Sequence, residues 1–429
     1  MRPYDLVVFG ASGFTGHYVV REILKMKKQA NYSALKWAVA GRNGSKIKET
    51  LASVSVSTGE DLSKVPILIA DVKDASSLEK MAEKAEVVVN VVGPNYVSHC
   101  SFQYRFFGEP VVKACVEKGA SHVDISGEAQ YLERMQLEYH KKALDKQVYV
   151  VGACGFDSIP VEMGIIHLRD NFGGDLNAVE QYMRFFPGPK GYVVNSGTWK
   201  SAVYEFATVQ EINKIRRKLF PTRLPPSSHK LKIRPVLHKD PLKGKWSIPF
   251  PGPDRTVVMR SQRFFYENSD NKPVQMGSYL SFASLLNSVS VMLFGAVFAA
   301  LAKIPFARDF LANNPKLITF GAFSDEGPSK SQIEGCRFSE ILIGTGWDEK
   351  LPRNVSHQQE PNTTKILEVA GPDPGYVGTS ICLVQSALTI LKEKNKLPSQ
   401  GGVYPPGAAF AKTSIIQNLQ KNGVTFTFL

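Results

Sequence analysis

Three glycines recur at regular spacing close to the start of the sequence, at Gly10, Gly13 and Gly16. The spacing G-x-x-G-x-x-G is a variant of the fingerprint that binds the pyrophosphate of a dinucleotide. The first glycine permits a sharp turn, the second lets a phosphate approach the backbone, and the third lets a helix pack closely on a sheet. The hydroxyls of Ser12 and Thr15 would add hydrogen-bond donors. The pattern predicts a phosphate site.

An ordinary strand-to-helix turn can carry the same glycines, so the flanking sequence has to decide between the two interpretations. Residues 6–9 are a short apolar run typical of a buried parallel strand, residues 18–26 fit a helix, and residues 35–40 fit a second strand. Together they form a βαβ unit of about 30 residues, which is the length expected of a dinucleotide site. This context favours nucleotide binding.

The second predicted strand ends at Arg42, where sites specific for NAD place an acidic residue on the ribose 2′-hydroxyl. A guanidinium can pair with a 2′-phosphate and stack on adenine, so the sequence predicts NADP(H) rather than NAD(H). Ser45 and Lys46 would help Arg42 to bind the 2′-phosphate. The alternative is an exposed arginine on a solvated loop.

Two further groups follow the ends of later strands, where ligands of such sheets bind. Asp71 follows the third strand, and it is interpreted equally as an acceptor for the adenine amino group or as the N-cap of the next helix. The fourth strand, residues 86–92, ends where a nicotinamide ribose would lie. The cofactor contacts predicted there are Asn90, Val92, Gly93 and Pro94.

The chemistry beyond cofactor binding is less defined. The Tyr-x-x-x-Lys pair of short-chain dehydrogenases occurs only as Tyr32 and Lys36, before the second strand and on the wrong side of the fold. Asp157 and Ser158 are weak catalytic candidates, since Asp157 is equally suited to cap the helix after Pro160. The eight histidines and five cysteines show no spacing typical of a metal site, so none is predicted.

The elements that would position these residues are six strands alternating with helices, which predict a Rossmann-type doubly wound parallel sheet over residues 1–170. The 429-residue length implies further domains. A second, mixed α/β domain is expected over 171–370, with strands predicted at 178–186, 257–265 and 337–344, and an irregular exposed excursion over 221–251. Residues 371–429 are expected to pack back on both domains.

The net charge of +13 is concentrated in one segment. Residues 214–263 contain fourteen lysines and arginines against two acidic residues, which leaves +12 there. Such a basic block can bind phosphates of nucleic acid or of lipids. Because it lacks regularly interleaved aromatics and any known nucleic-acid module, an anionic membrane is the favoured partner and nucleic acid is not.

An apolar segment follows the basic block. Residues 273–302 contain no ionisable Asp, Glu, Lys or Arg, and 285–302 approach the length of a membrane span, although serines and an asparagine make the first half polar. We expect residues 279–323 to contact a membrane surface. The alternative is a buried helix of the second domain.

The motifs VVFGASGFTG, VAGRN, VVGP, FGEPVVKAC, VDISGE, GFDSIP, DPGYVGT and GGVYPPGAAF together resemble the saccharopine dehydrogenase-like oxidoreductases over nearly the whole chain. The resemblance implies a Rossmann domain with a mixed α/β domain, and association with lipid droplets or other membranes. It implies cofactor contacts at Gly10, Ser12, Gly13, Phe14, Thr15, Gly16, Arg42 and the turn Val92, Gly93 and Pro94. Residues 95–103 depart from the family pattern, beside the predicted nicotinamide end.

Two functions therefore compete. The first is an NADP(H)-dependent oxidoreductase that acts on an apolar, lipid-linked substrate at the cytoplasmic side of a membrane or at a lipid droplet. The second is a nucleotide-binding sensor or scaffold on lipid surfaces without catalysis, which the inserted residues 95–103 would favour by covering the nicotinamide end. Whether the chain forms a homodimer is left open.

Overall fold

The computed structural model describes residues 2–93, 104–205 and 209–429, without the side chains of residues 105, 209 and 210. Most of the strands in these ranges belong to two seven-stranded sheets. The predicted contact Pro94 and the inserted residues 95–103 lie outside the described residues.

The first sheet has the order β15-β6-β5-β4-β1-β2-β3, and every neighbouring pair is parallel. This confirms the Rossmann-type doubly wound sheet. Its strands are β1 (Tyr4–Phe9), β2 (Trp37–Gly41), β3 (Ile67–Ile69), β4 (Ala85–Asn90), β5 (Ser121–Asp124), β6 (Tyr149–Val151) and β15 (Gly402–Tyr404), numbered along the whole chain. Its connecting helices are α1 (Phe14–Lys27), α2 (Gly44–Thr58), α3 (Ala75–Ala82), α4 (Tyr104–Lys118) and α5 (Ala129–Asp145).

The seventh strand of this sheet comes from the far end of the chain. In β15, Gly402 pairs with Tyr149 and Tyr404 with Val151, which extends the sheet beyond the six strands expected. A three-residue strand gives little periodic signal, so its partner is decided by contacts about 250 residues away in sequence.

The second sheet has the order β16-β14-β13-β7-β11-β10-β9 and is mixed, because β7 and β11 are parallel whereas the other pairs are antiparallel. This confirms the mixed second sheet. Its strands are β7 (Leu176–Phe186), β9 (His238–Lys239), β10 (Trp246–Pro249), β11 (Gln275–Phe282), β13 (Arg337–Gly346), β14 (Thr363–Pro372) and β16 (Thr425–Phe428).

The strand predicted at 257–265 is wrong, because these residues lie in the helix α9 (Asp254–Asn268). Its buried apolar residues Val257, Val258 and Phe265 recur at helical spacing, and the β-branched and aromatic content of the segment obscured that period. The excursion expected at 221–251 is irregular only in part, since β9 and β10 extend the second sheet. Ser247 in β10 is fully buried and bonds Ser281 at 2.8 Å.

A smaller unit packs beside the second sheet, and we call it the outer module. It comprises β8 (Val194–Asn195), α7 (Ser196–Glu205), α10 (Leu285–Leu301), α11 (Pro305–Asn313), α12 (Pro315–Ile318) and β12 (Phe323–Ser324). Within the part of the chain that the structure describes, the strands β8 and β12 pair only with each other, in parallel. The module has a core of its own around Trp199, whose indole N–H donates to the carbonyl of Leu311 at 2.7 Å and whose ring packs on Phe298.

The remaining helices close the main core. They are α6 (Ile159–Asp170), α8 (Val209–Leu219), α13 (Lys330–Gly335), α14 (Thr379–Lys392), α15 (Pro406–Phe410) and α16 (Ile415–Lys421), with short turns at Ala30–Tyr32, Pro374–Gly378 and Lys394–Lys396. Among the described residues, the continuous helical stretch Pro374–Lys392 alone is long and apolar enough to cross a membrane, and 83% of its apolar window is buried inside the protein. It therefore has the features of a core helix.

The basic block does not form one exposed surface. Arg216 binds the buried carboxylate of Glu133 through two nitrogens, and Arg234 binds Glu180 in the same bidentate way. Arg260 is almost fully buried and donates to Gln136. Part of the positive charge counted from the sequence is thus matched by acceptors elsewhere in the fold.

Candidate functional site

A cavity of about 1860 Å³ extends from the carboxyl edge of the first sheet to the second sheet and the outer module. One end is lined by the glycine turn after β1 and by the turn after β2. The middle is lined by the turns that follow β4, β5 and β6. The far end is lined by β7, α7, the loop before α9 and the residues around β12. The site therefore belongs to both sheets.

The glycine turn has the geometry that the sequence predicts for it. Gly10 adopts φ +98°, and a Cβ there would lie 2.8 Å from the backbone of Val91, so no other residue fits. A Cβ on Gly16 would overlap the carbonyl oxygen of Gly10, because α1 packs directly on the turn. Gly13 faces the cavity, and its Cβ would meet only that oxygen, at 3.2 Å. The turn is thus shaped for close approach at Gly13.

The first turn of α1 faces the cavity. Ser12, Gly13, Phe14 and Thr15 line it, and no side chain caps the first N–H groups of the helix. These groups carry the positive end of the helix dipole, which suits an anionic ligand. The backbone therefore fits the diphosphate of a dinucleotide.

The turn after β2 presents cations to the same end of the cavity. Arg42 is exposed and lines the cavity together with Asn43 and Lys46. The side chain of Asn43 accepts from the N–H of Lys46 at 2.9 Å and so caps α2, which fixes the turn. Because the turn itself holds no carboxylate, it fits a 2′-phosphate better than a free ribose diol.

Asp71 lines the cavity after the neighbouring strand β3. Its carboxylate accepts from the N–H of Lys73 at 3.0 Å, whereas Asp74 accepts from the N–H of Ser77 and caps α3. The N-cap interpretation of Asp71 is therefore wrong. Because Asp71 lines the cavity, its contact with the adenine amino group stays a prediction.

The predicted nicotinamide contacts separate into two kinds. Val92 and Gly93 line the cavity, but Asn90 is fully buried beneath it. The amide oxygen of Asn90 accepts from the N–H of Val92 at 3.1 Å, and its nitrogen lies 3.3 Å from Nε2 of His122. Burial lowers the pKa of His122 to about 3, so the ring is neutral. Asn90 shapes the turn and does not line the cavity.

A buried carboxylate organises the turns after β5 and β6. Asp124 accepts from the N–H groups of Ser126 at 2.9 Å and Ala153 at 3.2 Å, and Tyr131 donates its hydroxyl to the other oxygen. Ala153 has φ +58°, a left-handed conformation that is uncommon for a residue with a Cβ. Such strain persists where the surrounding contacts fix it, and Ala153 lies four residues before Asp157.

Asp157 projects into the cavity next to the turn of β5. A Cβ on Gly127 would lie 3.9 Å from Oδ2 of Asp157 and 3.3 Å from Pro253, so Gly127 lies close to both residues. Although the side chain is accessible from the cavity, the surrounding protein desolvates it and raises its pKa to about 6. Ser158 precedes α6 and donates to the carbonyl of Asp157, and no side chain caps the helix. The capping interpretation of Asp157 is wrong.

A pair of buried carboxyls interacts electrostatically with Asp157, and the sequence did not predict it. Asp254 and Glu340 both accept from the amide nitrogen of Gln181, at 2.7 and 3.0 Å. Burial raises the pKa of both groups, and their mutual repulsion together with the charge of Asp157 raises that of Asp254 further. The two residues are far apart in sequence, and no local motif marks either of them.

The far end of the cavity is largely aromatic. Phe185, Tyr192, Phe250 and Phe323 line it, as do residues of α7. Lys200 on α7 lies 3.6 Å from Asp325. These wall residues have no local sequence signal, because they come from separated segments of the second half of the chain.

Comparison with known proteins places this geometry in a family. Residues 6–151 match the family model of the saccharopine dehydrogenase NADP binding domain. The chain is 41% identical over 432 residues to the human saccharopine dehydrogenase-like oxidoreductase, covering 100% of this chain and 98% of the relative. This chain belongs to the saccharopine dehydrogenase-like oxidoreductases. NADP is accordingly its cofactor, as Arg42 predicted.

Two further matches concern location and fold. A protein of Caenorhabditis elegans named "Lipid droplet localized protein" is 38% identical, covering 99% of this chain and 98% of the relative. The structure of saccharopine dehydrogenase from Saccharomyces cerevisiae superimposes with a TM-score of 0.54 at 12% identity, covering 99% of this chain and all of that one. The second match concerns the fold alone.

Proposed function

We propose that this oxidoreductase transfers hydride between NADP(H) and an uncharged, apolar substrate that binds in the aromatic half of the cavity. The observation that carries this proposal is the continuity of the cavity from the glycine turn after β1 to the aromatic wall of the second sheet. A cofactor and a substrate can meet within one such cavity.

The geometry of the cavity supports a specific set of cofactor contacts. When bound, NADP(H) supplies or accepts the hydride. The first turn of α1, with Ser12 and Thr15, holds the diphosphate, and Arg42 with Lys46 holds the 2′-phosphate. Asp71 accepts from the adenine amino group. Val92 and Gly93 border the nicotinamide ribose, on a turn that Asn90 braces from below.

The charges on the cavity wall support the proposed substrate class. Beyond the adenine end, the described cavity wall contains one lysine, Lys200, and four carboxylates: Glu128, Asp157, Glu205 and Asp325. An amino-dicarboxylate would need several convergent cations, and this wall has a surplus of the opposite sign. A neutral, apolar substrate fits the aromatic lining instead.

Asp157 is the proposed proton donor. Reduction of a carbonyl or an activated double bond needs a proton at the atom that develops negative charge. Asp157 projects into the cavity beside the turns that border the nicotinamide end, and it lies on a turn held by Asp124 and Thr379. A pKa of about 6 keeps a fraction of its carboxyl protonated near neutral pH.

A lipid surface is the proposed place of action, on the cytoplasmic side of membranes or on lipid droplets. The named location of the C. elegans relative supports a droplet. The exposed apolar helices of the outer module support a lipid surface in general. A lipid phase would also concentrate an apolar substrate.

The test is turnover of NADPH by the full-length protein with detergent-dispersed long-chain aldehydes, ketones and enoyl esters, beside a parallel set of amino-dicarboxylates. We expect oxidation of NADPH only with the neutral lipids. Turnover of the dicarboxylates would overturn the substrate class. Tight NADPH binding with no turnover in either set would favour the alternative function, a nucleotide-binding sensor or scaffold without catalysis.

A further inference from the structure

The outer module exposes an unusual amount of apolar side chain. In α10, only Ser288 and Phe298 are buried. The other apolar residues of the helix are partly or largely exposed, and they occupy most of its circumference. Leu286 is 73% exposed. The next helices continue the surface, with Phe306 at 78% and Phe320 at 96%. Isolated surface apolar residues are normal, but a contiguous set of this kind marks an interaction site.

The charges on this surface indicate the kind of molecule that binds to it. Residues 285–302 contain no Asp, Glu, Lys or Arg. The ionisable residues over 303–320 are Lys303, Arg308, Asp309 and Lys316, a small net charge. Two arginines of the basic block, Arg216 and Arg234, are engaged by Glu133 and Glu180. The surface is therefore mainly apolar, with a net charge of only +2 over residues 285–320.

Because α10 is exposed on most of its circumference, lipid is favoured over a protein as the binding partner of this surface. A protein partner or a second copy of the chain covers one side of a helix, whereas lipid surrounds a helix that is inserted at a surface. With 17 residues, α10 is about 25 Å long, which is short of the roughly 30 Å hydrocarbon core. The polar residues Ser284, Asn287 and Ser290 also suit a helix that lies in the interface and does not span it.

We propose that α10, α11 and the segment that follows to Phe320 insert into an uncharged lipid surface, such as the phosphatidylcholine monolayer around a droplet of neutral oil. The basic block contributes little to this binding. The inference rests on the proposed function only for the choice of lipid as the place of action. It names the surface, the lipid chemistry and the residues that bind it.

The position of this surface connects it to the cavity. On one face of α7, Trp199 and Val203 pack against Phe298 and Leu311 of the inserted helices. On the other face, residues including Thr198 line the cavity. One helix therefore separates the lipid-binding surface from the substrate wall.

The test is flotation of the full-length protein with triolein droplets coated with phosphatidylcholine, at low and high salt, and in parallel with vesicles that contain phosphatidylserine. We expect binding to the uncharged droplets that is insensitive to salt, because no headgroup charge is involved. The variant L293E/F306E places charge on the surface and is expected to lose droplet binding by about a hundredfold. Its affinity for NADPH, measured by fluorescence, should equal that of the unmodified protein, which shows that it folds.

Two matched controls complete the design. Ile233→Glu adds one negative charge at an apolar residue that is 96% exposed within the basic block, and it should leave droplet binding unchanged. K230E/K232E reverses two exposed charges of that block and should also leave it unchanged.

Binding only to the anionic vesicles, or loss of binding in K230E/K232E, would overturn the proposal. Conversion of a dimer into a monomer by L293E/F306E with droplet binding intact would overturn it as well, in favour of a second copy. Failure to turn over any substrate while droplet binding behaves as expected would count against the proposed function alone.

Discussion

The ring of Phe14 meets the ring of Tyr376 edge-on, with 4.6 Å between their centroids. Phe14 is the first residue of α1, and Tyr376 belongs to the turn that precedes α14. The hydroxyl of Tyr376 in turn accepts from the N–H of Asn195 in the outer module, at 2.7 Å. Three distant segments thus meet at the phosphate end of the cavity through one tyrosine.

Tyr376→Phe should separate the two contacts of this tyrosine. The variant keeps the ring against Phe14 but leaves the N–H of Asn195 without its acceptor, which should lower the free energy of unfolding by about 1 kcal/mol. Affinity for NADPH should not change. Urea denaturation and NADPH titration measure the two effects, and a large loss of NADPH affinity would show that the hydroxyl acts on the cofactor.

Gly13→Ala should weaken cofactor binding without unfolding the protein. The new methyl meets only the carbonyl oxygen of Gly10, at 3.2 Å, but it projects where the diphosphate approaches. Affinity for NADPH should fall by at least about tenfold, since the approach of the phosphate is blocked. The control Gly16→Ala forces overlap with Gly10 and should instead lower the melting temperature. Undiminished NADPH binding by Gly13→Ala would contradict the assigned phosphate turn.

Arg42→Asp should change the preferred cofactor. The variant removes the cation assigned to the 2′-phosphate and introduces a carboxylate that can accept from a ribose diol. NADPH affinity should fall about a hundredfold while NADH affinity rises, as charge-assisted contacts of this kind contribute a few kcal/mol. Titration of both nucleotides measures the ratio, and an unchanged preference for NADPH would refute the role of Arg42.

Asp157→Asn should slow reduction by about a hundredfold, which is the scale of a lost general acid. Because the pKa of Asp157 is raised to about 6, the unmodified protein should reduce substrate faster below that pH, with a limb that disappears in the variant. Ser158→Ala is the matched control and should retain the limb, since the hydroxyl of Ser158 donates to the backbone carbonyl of Asp157. A limb near pH 6 that persists in Asp157→Asn would assign the proton to another group.

Glu340→Gln should stabilise the protein at neutral and higher pH. Burial, with the nearby charge of Asp157, raises the pKa of Glu340 to about 8, from 4.5 in the unfolded chain. Between these values the folded state keeps a proton that the unfolded state has lost, so stability falls as pH rises, by up to about 1.4 kcal/mol per unit. The variant removes this decline.

Unfolding free energies from pH 5 to pH 8 measure this effect, and the advantage of Glu340→Gln should widen across the range. Glu86→Gln, at an exposed position of β4, is the control and should follow the unmodified protein. A constant difference between Glu340→Gln and the unmodified protein would mean that Glu340 does not retain a proton on folding.

The features that the sequence determined by itself are local ones. The turn at Gly10 requires a positive φ and an approach that only glycine allows, so the residue type encodes the geometry directly. Arg42 likewise follows from its place at the end of a strand. Parallel strands buried on both faces, such as β1 and β4, are continuous apolar runs that can be recognised without a structure.

The tertiary structure decided everything that depends on contacts between distant segments. The pairing of β15 with β6, the carboxyl pair of Asp254 and Glu340, and the aromatic wall around Tyr192 have no local signal, since each is created by segments that meet only on folding. The burial of Asn90 and the exposure of α10 were decided in the same way. The solvent exposure of a residue depends on how the whole chain packs. An apolar helix has the same sequence pattern whether its neighbours are protein or lipid.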